Sequence, residues 1–388
     1  MNFNFDKPTE RRGTNSMKWD ETNDPAVIPM WVADMDFETA PAITEALHQR
    51  IDHAIFGYTF VPESYYQSVI SWFQRRHGWT ISREWIQYTS GVVPAISCCI
   101  KALTKPGDKV IVMTPAFNCF FSSIRNNGCV AEETTLKKTG DSYEIDFADL
   151  ERRCSDEHSR LLLLCNPHNP VGRVWTEEEL SHINDICRRH GVIVVSDEIH
   201  CELVMPGYKY VPFASVSNES LNNSITLNSP SKSFNTAGLQ IANIICKNED
   251  WQRRIDRAIN DNEVCDVNPF GVIALQAAYN HGEEWLDALN AYLYENYQAL
   301  RAFFATAMPS VRLTRLEGTY LVWADISALG ISADELSERL LHEGKVWMTS
   351  GTVYHDPQSM QHLRINIACP RSRMMEGLER MAKVVNTL

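Results

Sequence analysis

Five short, continuously apolar runs in the middle of the chain restrict its fold more than any other feature. The runs are Lys109–Met113, Leu161–Cys165, Val192–Ser196, Ser224–Leu227 and Ala242–Cys246. Each is four or five residues long and lacks the polar alternation of a strand with one wet face. Such runs are typical of strands that are buried on both sides. They predict a mostly parallel sheet that is covered by helices.

A helix is predicted between two of these runs. Thr176 and Glu179 have the spacing of a capping box. The apolar stripe that follows consists of Leu180, Ile183, Ile186 and Cys187, and it ends at His190-Gly191. A strand, a helix and a further strand at this spacing predict βαβ units, so the predicted fold class is α/β.

The pattern changes from about residue 275. Helical periodicity over 271–308 is followed by a strand-like alternation at Arg312–Ile326, a helical pattern at Ala333–Glu343 and a strand-like run at Leu363–Ala368. This order predicts a smaller α+β domain. We therefore expect an N-terminal arm at 1–43 that packs on the small domain, a large domain at 44–275 and a small C-terminal domain at 276–388.

The composition excludes several classes of protein. Of 388 residues, 44% are hydrophobic and 22% are charged, which are globular values. The 36 Lys and Arg against 49 Asp and Glu give a net charge of −13, and this sign disfavours nucleic acid as a partner. The sequence has no run of about 18 apolar residues, and its N-terminus lacks the layout of a signal peptide. We expect a cytoplasmic protein with no membrane partner.

The 11 cysteines are scattered along the chain without CxxC spacing. This distribution argues against a disulfide framework and against a zinc site, and no metal site is predicted. We expect most of the cysteines to be small, buried apolar residues in a reducing compartment.

Polar side chains follow three of the apolar runs, at the edge where parallel sheets bind ligands. Asn169 follows the second run, Asp197 the third and Lys232 the fourth. A buried amine can form a Schiff base, a carboxylate can keep a pyridine nitrogen protonated, and an amide can donate to a phenolate oxygen. Each residue alone has an ordinary interpretation as a surface lysine, a helix cap or a turn. Their occurrence together favours a site for pyridoxal 5′-phosphate (PLP).

A phosphate site is predicted from Gly91 and Val92, which open a helical stretch at 94–103. They offer backbone N–H groups at a helix N-terminus, and Ser229 adds a hydroxyl. Motifs of competing nucleotide, hydrolase and metalloprotease sites (GxGxxG, the P-loop, GxSxG and HExxH) are absent from the sequence.

The chain resembles the fold-type I PLP enzymes of the aminotransferase class I/II superfamily through NPHNPVG, SDEIH and SPSKSFNTAGLQ, in this order. Further segments, GTNS with KWD, PMWVADMDF, FGY and RINIACP, narrow the resemblance to cystathionine β-lyases of the MalY/PatB type. These are cystalysin-like enzymes that cleave carbon–sulfur bonds. The match runs from end to end, and it implies the fold-type I fold with the large domain as the PLP-binding one.

The resemblance implies roles around the cofactor ring. Lys232 would be the Schiff-base lysine and the catalytic proton carrier, Asp197 would pair with the pyridinium nitrogen, and Asn169 would hold the phenolate oxygen. Phe117 lies where the family stacks an aromatic residue, often tyrosine. His200 lies where aspartate aminotransferase-like enzymes have a tyrosine near the phenolate oxygen. We expect both to contact the cofactor.

Phosphate and substrate contacts are implied in the same way. The set comprises Gly91, Val92 and Ser229 for the phosphate, Tyr58 for a phosphate in the partner subunit, and Arg364 and Ala33 for the substrate. Arg364 would grip the α-carboxylate as a bidentate fork. Without the resemblance, a surface ion pair is the favoured interpretation of Arg364. Gln240 replaces the phosphate-binding arginine of many superfamily members, so the phosphate would depend more on backbone amides.

The implied reaction is α,β-elimination. L-Cystathionine would give homocysteine, pyruvate and ammonia, and L-cysteine or a related S-substituted cysteine would give the corresponding thiol. An aminotransferase that uses the same residues is the first alternative. The second is an additional regulatory role through binding a transcription factor, because some relatives of this type combine both roles. The family also implies a homodimer whose active site lies at the subunit interface.

Overall fold

The structure, a computed structural model, describes residues 3–261 and 266–388, and within these ranges the chain forms fifteen strands and thirteen α-helices. The strands are β1 Ile28–Pro29, β2 Ile86–Thr89, β3 Lys109–Thr114, β4 Val130–Thr135, β5 Lys137–Thr139, β6 Ser142–Glu144, β7 Ser159–Cys165, β8 Ile193–Asp197, β9 Ser224–Asn228, β10 Ala242–Cys246, β11 Arg312–Leu313, β12 Leu321–Asp325, β13 Val346–Trp347, β14 Thr349–Ser350 and β15 His362–Asn366. The helices are α1 Met17–Asp20, α2 Pro41–His53, α3 Glu63–His77, α4 Val92–Leu103, α5 Asn118–Asn126, α6 Phe147–Cys154, α7 Glu177–Arg189, α8 Asn218–Asn222, α9 Glu249–Asn260, α10 Pro269–His281, α11 Glu283–Ala307, α12 Ala333–His342 and α13 Arg371–Val385.

A seven-stranded sheet in the order β2-β10-β9-β8-β7-β3-β4 forms the centre of the larger part. Strands β4, β3, β7, β8 and β9 run parallel to one another, and β10 is antiparallel to both of its neighbours. The five apolar runs are β3, β7, β8, β9 and β10, with ends that agree within two residues. The predicted α/β class with a mostly parallel sheet is confirmed.

Successive residues of one strand enter two different cores, which explains why the apolar runs are continuous. In β7, Leu161 and Leu163 pack with α4 on one face of the sheet, and Leu162 and Leu164 pack with α7 on the other. A strand that is covered on both faces in this way can carry apolar residues at successive positions.

The predicted helix between β7 and β8 is α7, and its capping box is confirmed. The Glu179 N–H donates to the Thr176 hydroxyl oxygen at 3.2 Å, and the Thr176 N–H donates to the Glu179 carboxylate at 2.8 Å. The helix ends at Arg189, with His190 as its C-cap.

A second sheet in the order β11-β12-β15-β14 lies in the C-terminal part and is antiparallel. The prediction of one strand over Arg312–Ile326 is wrong, because β11 and β12 are separated by a loop. The N–H groups of Glu317 and Gly318 donate to the Gly172 carbonyl at 2.9 and 3.0 Å. These bonds tie the loop to the region that follows β7 instead of to a strand partner.

The N-terminal arm reaches the second sheet's side of the molecule, where β1 pairs in parallel with β13. The division into an arm, a large domain and a small domain at residues 43 and 275 stays a prediction.

Of the ten cysteines that the structure describes, eight are buried, as expected, whereas Cys98 and Cys119 are partly exposed. Cys265 lies outside the described residues. Over residues 3–261 and 266–388, no helix combines the length and the apolarity of a membrane span.

Candidate active site

Polar residues converge at the carboxyl ends of three adjacent parallel strands. Asp197 is the last residue of β8, Asn169 lies four residues after β7, and Ser229 directly follows β9. Lys232 lies in the turn that continues from Ser229. Because β7, β8 and β9 are neighbours and run in the same direction, their ends bring these side chains to one edge of the sheet, where open α/β sheets bind ligands.

Lys232 carries an amine with a lowered pKa. Its Nζ donates to the Ala33 carbonyl at 2.6 Å, and this oxygen belongs to the N-terminal arm. Burial and then the Arg364 guanidinium lower the pKa of Lys232 to about 8, although Asp34 and Asp197 oppose the shift. Far more of this amine than of an ordinary lysine is therefore neutral, and able to accept a proton, near physiological pH.

Residues 31–37 form a segment, which we call the strap, whose backbone carbonyls bind side chains from both sheets. The Trp31 carbonyl accepts from Arg364 Nη2 at 2.8 Å, and the Val32 and Asp34 carbonyls accept from Asn366 Nδ2 at 2.6 and 2.7 Å. Asn235 Nδ2 donates to the carbonyls of residues 35 and 37, each at 3.0 Å. The strap thus fixes β15 against the turn that carries Lys232.

Asp197 is a buried carboxylate that forms no ion pair within the described part of the chain. Its side chain accepts from the Ile199 N–H at 3.2 Å, and this is its hydrogen-bond partner among the residues that the structure describes. Burial raises the pKa of Asp197 to about 7, although the Ile199 N–H and Lys232 lower it. A protonated pyridine nitrogen would supply the missing positive charge, so Asp197 fits the ring of PLP.

Arg364 presents an unpaired donor in the same region. Its Nη1 donates to Asn169 Oδ1 at 3.2 Å, while its Nε is buried and has no partner in the described structure. The guanidinium also lies over the Tyr354 ring at 5.4 Å. A buried guanidinium donor without an acceptor fits a site for a carboxylate that is supplied by a ligand. Because the Asn169 oxygen already accepts from Arg364, its amide NH2 is the end that can donate to another group.

His200 is buried and uncharged. Burial, Lys232 and Arg364 lower the pKa of His200 to about 3. Its Nδ1 has no partner in the described structure, and its ring lies 6.2 Å from that of Tyr320. A neutral imidazole with an unpaired nitrogen fits a position beside a polar ligand.

Gly91 and Val92 lie at the N-terminus of α4, as predicted. Gly91 is the N-cap and Val92 is the first helical residue, so the first N–H groups of the helix form a suitable cradle for a phosphate. Ser229 directly follows β9, and its hydroxyl is hydrogen-bonded within the chain. Its Oγ donates to the Ile241 carbonyl at 2.5 Å and lies 2.6 Å from Ser231 Oγ.

Three further predicted residues lie at the margins. Phe117 is the N-cap of α5 and is partly buried, with its ring 5.9 Å from that of Phe120. Gln240 is exposed and has a φ of 51°. Tyr58 is 98% exposed, so it belongs to no site within its own chain.

Sequence reasoning missed Tyr320 and Asn235. Tyr320 donates to the Ala33 carbonyl at 2.9 Å, yet in the sequence it is one more apolar position of an alternating stretch. Asn235 lies three residues after Lys232, and its place inside the motif of the lysine was the signal that would have found it.

Comparison with known proteins shows which family the chain resembles. The family model for aminotransferase class I and II matches residues 25–381. The chain is 42% identical to cystathionine β-lyase PatB of Bacillus subtilis over 98% of this chain and 99% of PatB. It is 35% identical to the crystal structure of PLP-containing cystalysin from Treponema denticola, with a TM-score of 0.96 and full coverage of both chains. A PLP-bound C–S lyase from Staphylococcus hominis is 34% identical, with a TM-score of 0.93 over 99% of this chain and 98% of that one.

Proposed function

The chain belongs to the aminotransferase class I and II family, and we propose that it is a PLP-dependent carbon–sulfur β-lyase that cleaves L-cystathionine to homocysteine, pyruvate and ammonia. L-Cysteine and related S-substituted cysteines are proposed as further substrates. The observation that carries this proposal is the Lys232 amine, held at 2.6 Å from the Ala33 carbonyl with a pKa of about 8, in a chain so similar to named C–S lyases.

PLP, when bound, supplies an electron sink for the negative charge that develops on the substrate Cα. Asp197 would hold the pyridine nitrogen, and Asn169, with His200 nearby, would hold the phenolate oxygen. Phe117 would cover the ring, while the N-terminus of α4 and Ser229 would hold the phosphate. Gln240 brings no charge to that end, so the backbone N–H groups carry most of the phosphate binding.

Lys232 is the proposed catalytic base. Its neutral amine would take the proton from the substrate Cα, and the lowered pKa makes this form available near neutrality. Phe117 has no hydroxyl, so it cannot give a proton to the departing sulfur, and Lys232 or water is the proposed donor.

Arg364 is the proposed anchor of the substrate α-carboxylate. Its unpaired Nε and the adjacent Nη atoms form the fork that binds a carboxylate with two parallel hydrogen bonds. Asn169 Oδ1 and the Trp31 carbonyl each accept one hydrogen bond from the Nη atoms and so orient the guanidinium. Ala33, whose carbonyl contacts Lys232, is proposed to line the substrate position.

A homodimer is proposed because a group of aromatic and aliphatic side chains is left uncovered next to α2. The group consists of Ile51, Ile55, Phe56, Tyr58 and Phe60, each more than half exposed. A second copy of the chain would cover these side chains and would bring Tyr58 to its own phosphate site. The regulatory partner and the cytoplasmic location stay predictions.

Product stoichiometry tests the proposal. Purified, PLP-saturated protein is given L-cystathionine without any 2-oxo acid, and free thiol and pyruvate are followed together. Equal and sustained release of both products is expected. A burst of one turnover that continues only after a 2-oxo acid is added would instead identify an aminotransferase. The absence of thiol and pyruvate under both conditions would reject cystathionine as a substrate.

A further inference from the structure

The Ala33 carbonyl oxygen accepts two hydrogen bonds, one from the proposed catalytic base and one from a buried tyrosine. Lys232 Nζ donates to this oxygen at 2.6 Å, and the Tyr320 hydroxyl donates to it at 2.9 Å. A carbonyl oxygen has two lone pairs, so these two donors complete its capacity. Lys232 is the proposed base, whereas Tyr320 has no role in the proposed function.

The Tyr320 hydroxyl can act only as a donor to this carbonyl. The side chain is fully buried, and burial raises the pKa of the phenol far above its ordinary value. The hydroxyl therefore stays protonated over the whole range in which the protein is folded. It cannot itself be a base, but it occupies one side of the Ala33 oxygen at every working pH.

The backbone on both sides holds Tyr320 firmly. The Thr319 N–H donates to the Leu203 carbonyl at 2.7 Å, and the Ile367 N–H donates to the Tyr320 carbonyl at 3.0 Å. Strand β12 begins at the next residue and pairs with β15, which places Trp323 opposite Arg364. The hydroxyl is thus mounted on the same sheet as the proposed carboxylate anchor.

We propose that Tyr320 is a positioning residue for Lys232: its hydroxyl fills one lone pair of the Ala33 carbonyl oxygen, and so determines where the lysine amine docks and how strongly that oxygen binds the ammonium form. The proposal rests on the proposed function in that Lys232 is the base. Two donors on one oxygen draw on the same electron density, so each bond is weaker than it would be alone. Without the hydroxyl, the oxygen would bind the ammonium more strongly and would favour the charged form.

The other charged and titratable groups that face Lys232 do not depend on Tyr320. They are Arg364 of β15, Asp34 of the strap, Asp197 at the end of β8, Cys119 of α5 and His200. All of these remain in the variant Tyr320→Phe, which also keeps the ring and its packing. A change in the pKa of Lys232 in this variant therefore reports on the carbonyl oxygen.

The test measures the pKa of Lys232 in the full chain after PLP is removed, so it does not depend on which reaction the enzyme catalyses. Trace acetylation is carried out at a series of pH values, and the extent of modification at Lys232 is read by peptide mass spectrometry. The midpoint is expected to rise in Tyr320→Phe by about half a unit or more. Tyr297→Phe is the matched control, because it removes a buried hydroxyl that accepts from the Leu316 N–H at 3.0 Å and makes no hydrogen bond with Lys232 or Ala33 among the described residues.

PLP-saturated enzyme gives a second readout with L-cystathionine. The acid limb of the kcat profile is expected to move to higher pH in Tyr320→Phe, because kcat reports the pKa of the base in the enzyme–substrate complex. KM at the pH optimum should change less than twofold because Arg364 is untouched. A midpoint that stays the same, or that falls, would overturn the proposal and leave Tyr320 as a packing residue. Tyr320→Met, which fills the space without a ring, repeats the measurement if the phenylalanine variant does not fold.

Discussion

Arg364 and Asn169 meet across the boundary between the two sheets, with Arg364 Nη1 donating to Asn169 Oδ1 at 3.2 Å. Arg364 lies on β15 of the second sheet, and Asn169 follows β7 of the first. The residue proposed to bind the substrate and one proposed to bind the cofactor therefore position each other. A change at either one should affect the alignment of substrate against cofactor.

The variant Arg364→Lys should raise KM for L-cystathionine by tenfold or more and change kcat less. An ammonium cannot reproduce the fork that a guanidinium offers to a carboxylate, and it would also leave Asn169 without its partner. Steady-state kinetics at the pH optimum measure the effect. The exposed Arg312 provides the control as Arg312→Lys, and an unchanged KM for Arg364→Lys would place the carboxylate site elsewhere.

The variant Lys232→Ala should lose turnover by several orders of magnitude, because the proposed base is removed while the rest of the cofactor site remains. PLP should still bind, but without a covalent bond, so that gel filtration in denaturant separates it from the chain after borohydride treatment. The exposed Lys209 serves as the control in Lys209→Ala. Elimination at a near-normal rate in Lys232→Ala would refute the assignment.

The strands and the chemistry of their ends were predictable from the sequence, because both depend on local patterns. The continuous runs identified β7 and β8, and the residues after them identified Asn169 and Asp197 as candidates. Contacts over long sequence distances were not predictable. Lys232 and Tyr320 meet at the Ala33 carbonyl from 199 and 287 residues away, and neither partner carries a local signal for the other.

The loop between β11 and β12 was also not predictable from the sequence. Alternating hydrophobicity over Arg312–Ile326 is compatible with one long strand, and nothing local indicates that the Gly172 carbonyl will take the N–H groups of the loop. The role of Arg364 was not predictable from local patterns either. One arginine on a strand is ordinarily interpreted as part of a surface ion pair, and only the family resemblance pointed to a substrate site.

The stability of the PLP-free chain should depend on pH through Asp197. Its pKa is about 7 in the folded chain against 3.8 as the ordinary value, so the folded state binds a proton more tightly than the unfolded state. The contribution of Asp197 to the free energy of unfolding therefore falls as the pH rises from about 4 to about 7, by about 1.4 kcal/mol for each unit of pKa difference. The variant Asp197→Asn removes this dependence.

Urea unfolding of PLP-free parent and Asp197→Asn at pH 5 and pH 8 measures the effect. The free energy of unfolding of Asp197→Asn minus that of the parent should be a few kcal/mol larger at pH 8 than at pH 5. Glu198, whose pKa is also raised to about 7 by burial, interacts electrostatically with Asp197. The measured difference therefore reports the loss of Asp197 together with the smaller change that this loss causes in the titration of Glu198. The exposed Asp185 supplies the control Asp185→Asn, and a difference that does not vary with pH would contradict the prediction.

The variant Lys18→Met should destabilise the arm. Lys18 is 1% exposed, and its Nζ lies 3.3 Å from the buried carboxylate of Asp36 and 3.6 Å from Asp34. Lys18→Met removes one of the two cations that pair with these carboxylates, since Arg11 also lies 2.8 Å from Asp36 and 2.7 Å from Asp34. Because the Lys18 ammonium is buried with Asp36, we expect the loss of stability to exceed that of an exposed pair. Urea unfolding measures this loss, and Lys7→Met is the control, since Lys7 and Glu38 form an exposed pair worth about 1 kcal/mol or less. Equal losses of stability in the two variants would show that the buried contacts of Lys18 stabilise the arm no more than an exposed ion pair does.

Tyr58 allows a test of whether the active site is completed by a second copy of the chain. It is 98% exposed in one chain, and we propose that it contacts the phosphate held by the partner. A dimer of Tyr58→Ala lacks this contact in both sites, and a dimer of Lys232→Ala lacks the base in both. In a hybrid of the two variants, one of the two sites has an intact Lys232 from one chain and an intact Tyr58 from the other, while the second site has neither.

Co-expression of the two variants with different affinity tags isolates these hybrids. A pure hybrid should recover about half of the parental activity per dimer, because one of two symmetric sites is complete. Each variant alone should be far less active, with Lys232→Ala limited in turnover and Tyr58→Ala limited mainly by weak PLP binding. A hybrid that is no more active than the mean of the Tyr58→Ala and Lys232→Ala proteins would place Tyr58 outside the partner's site. An unmodified chain that is monomeric and fully active would reject the dimer itself.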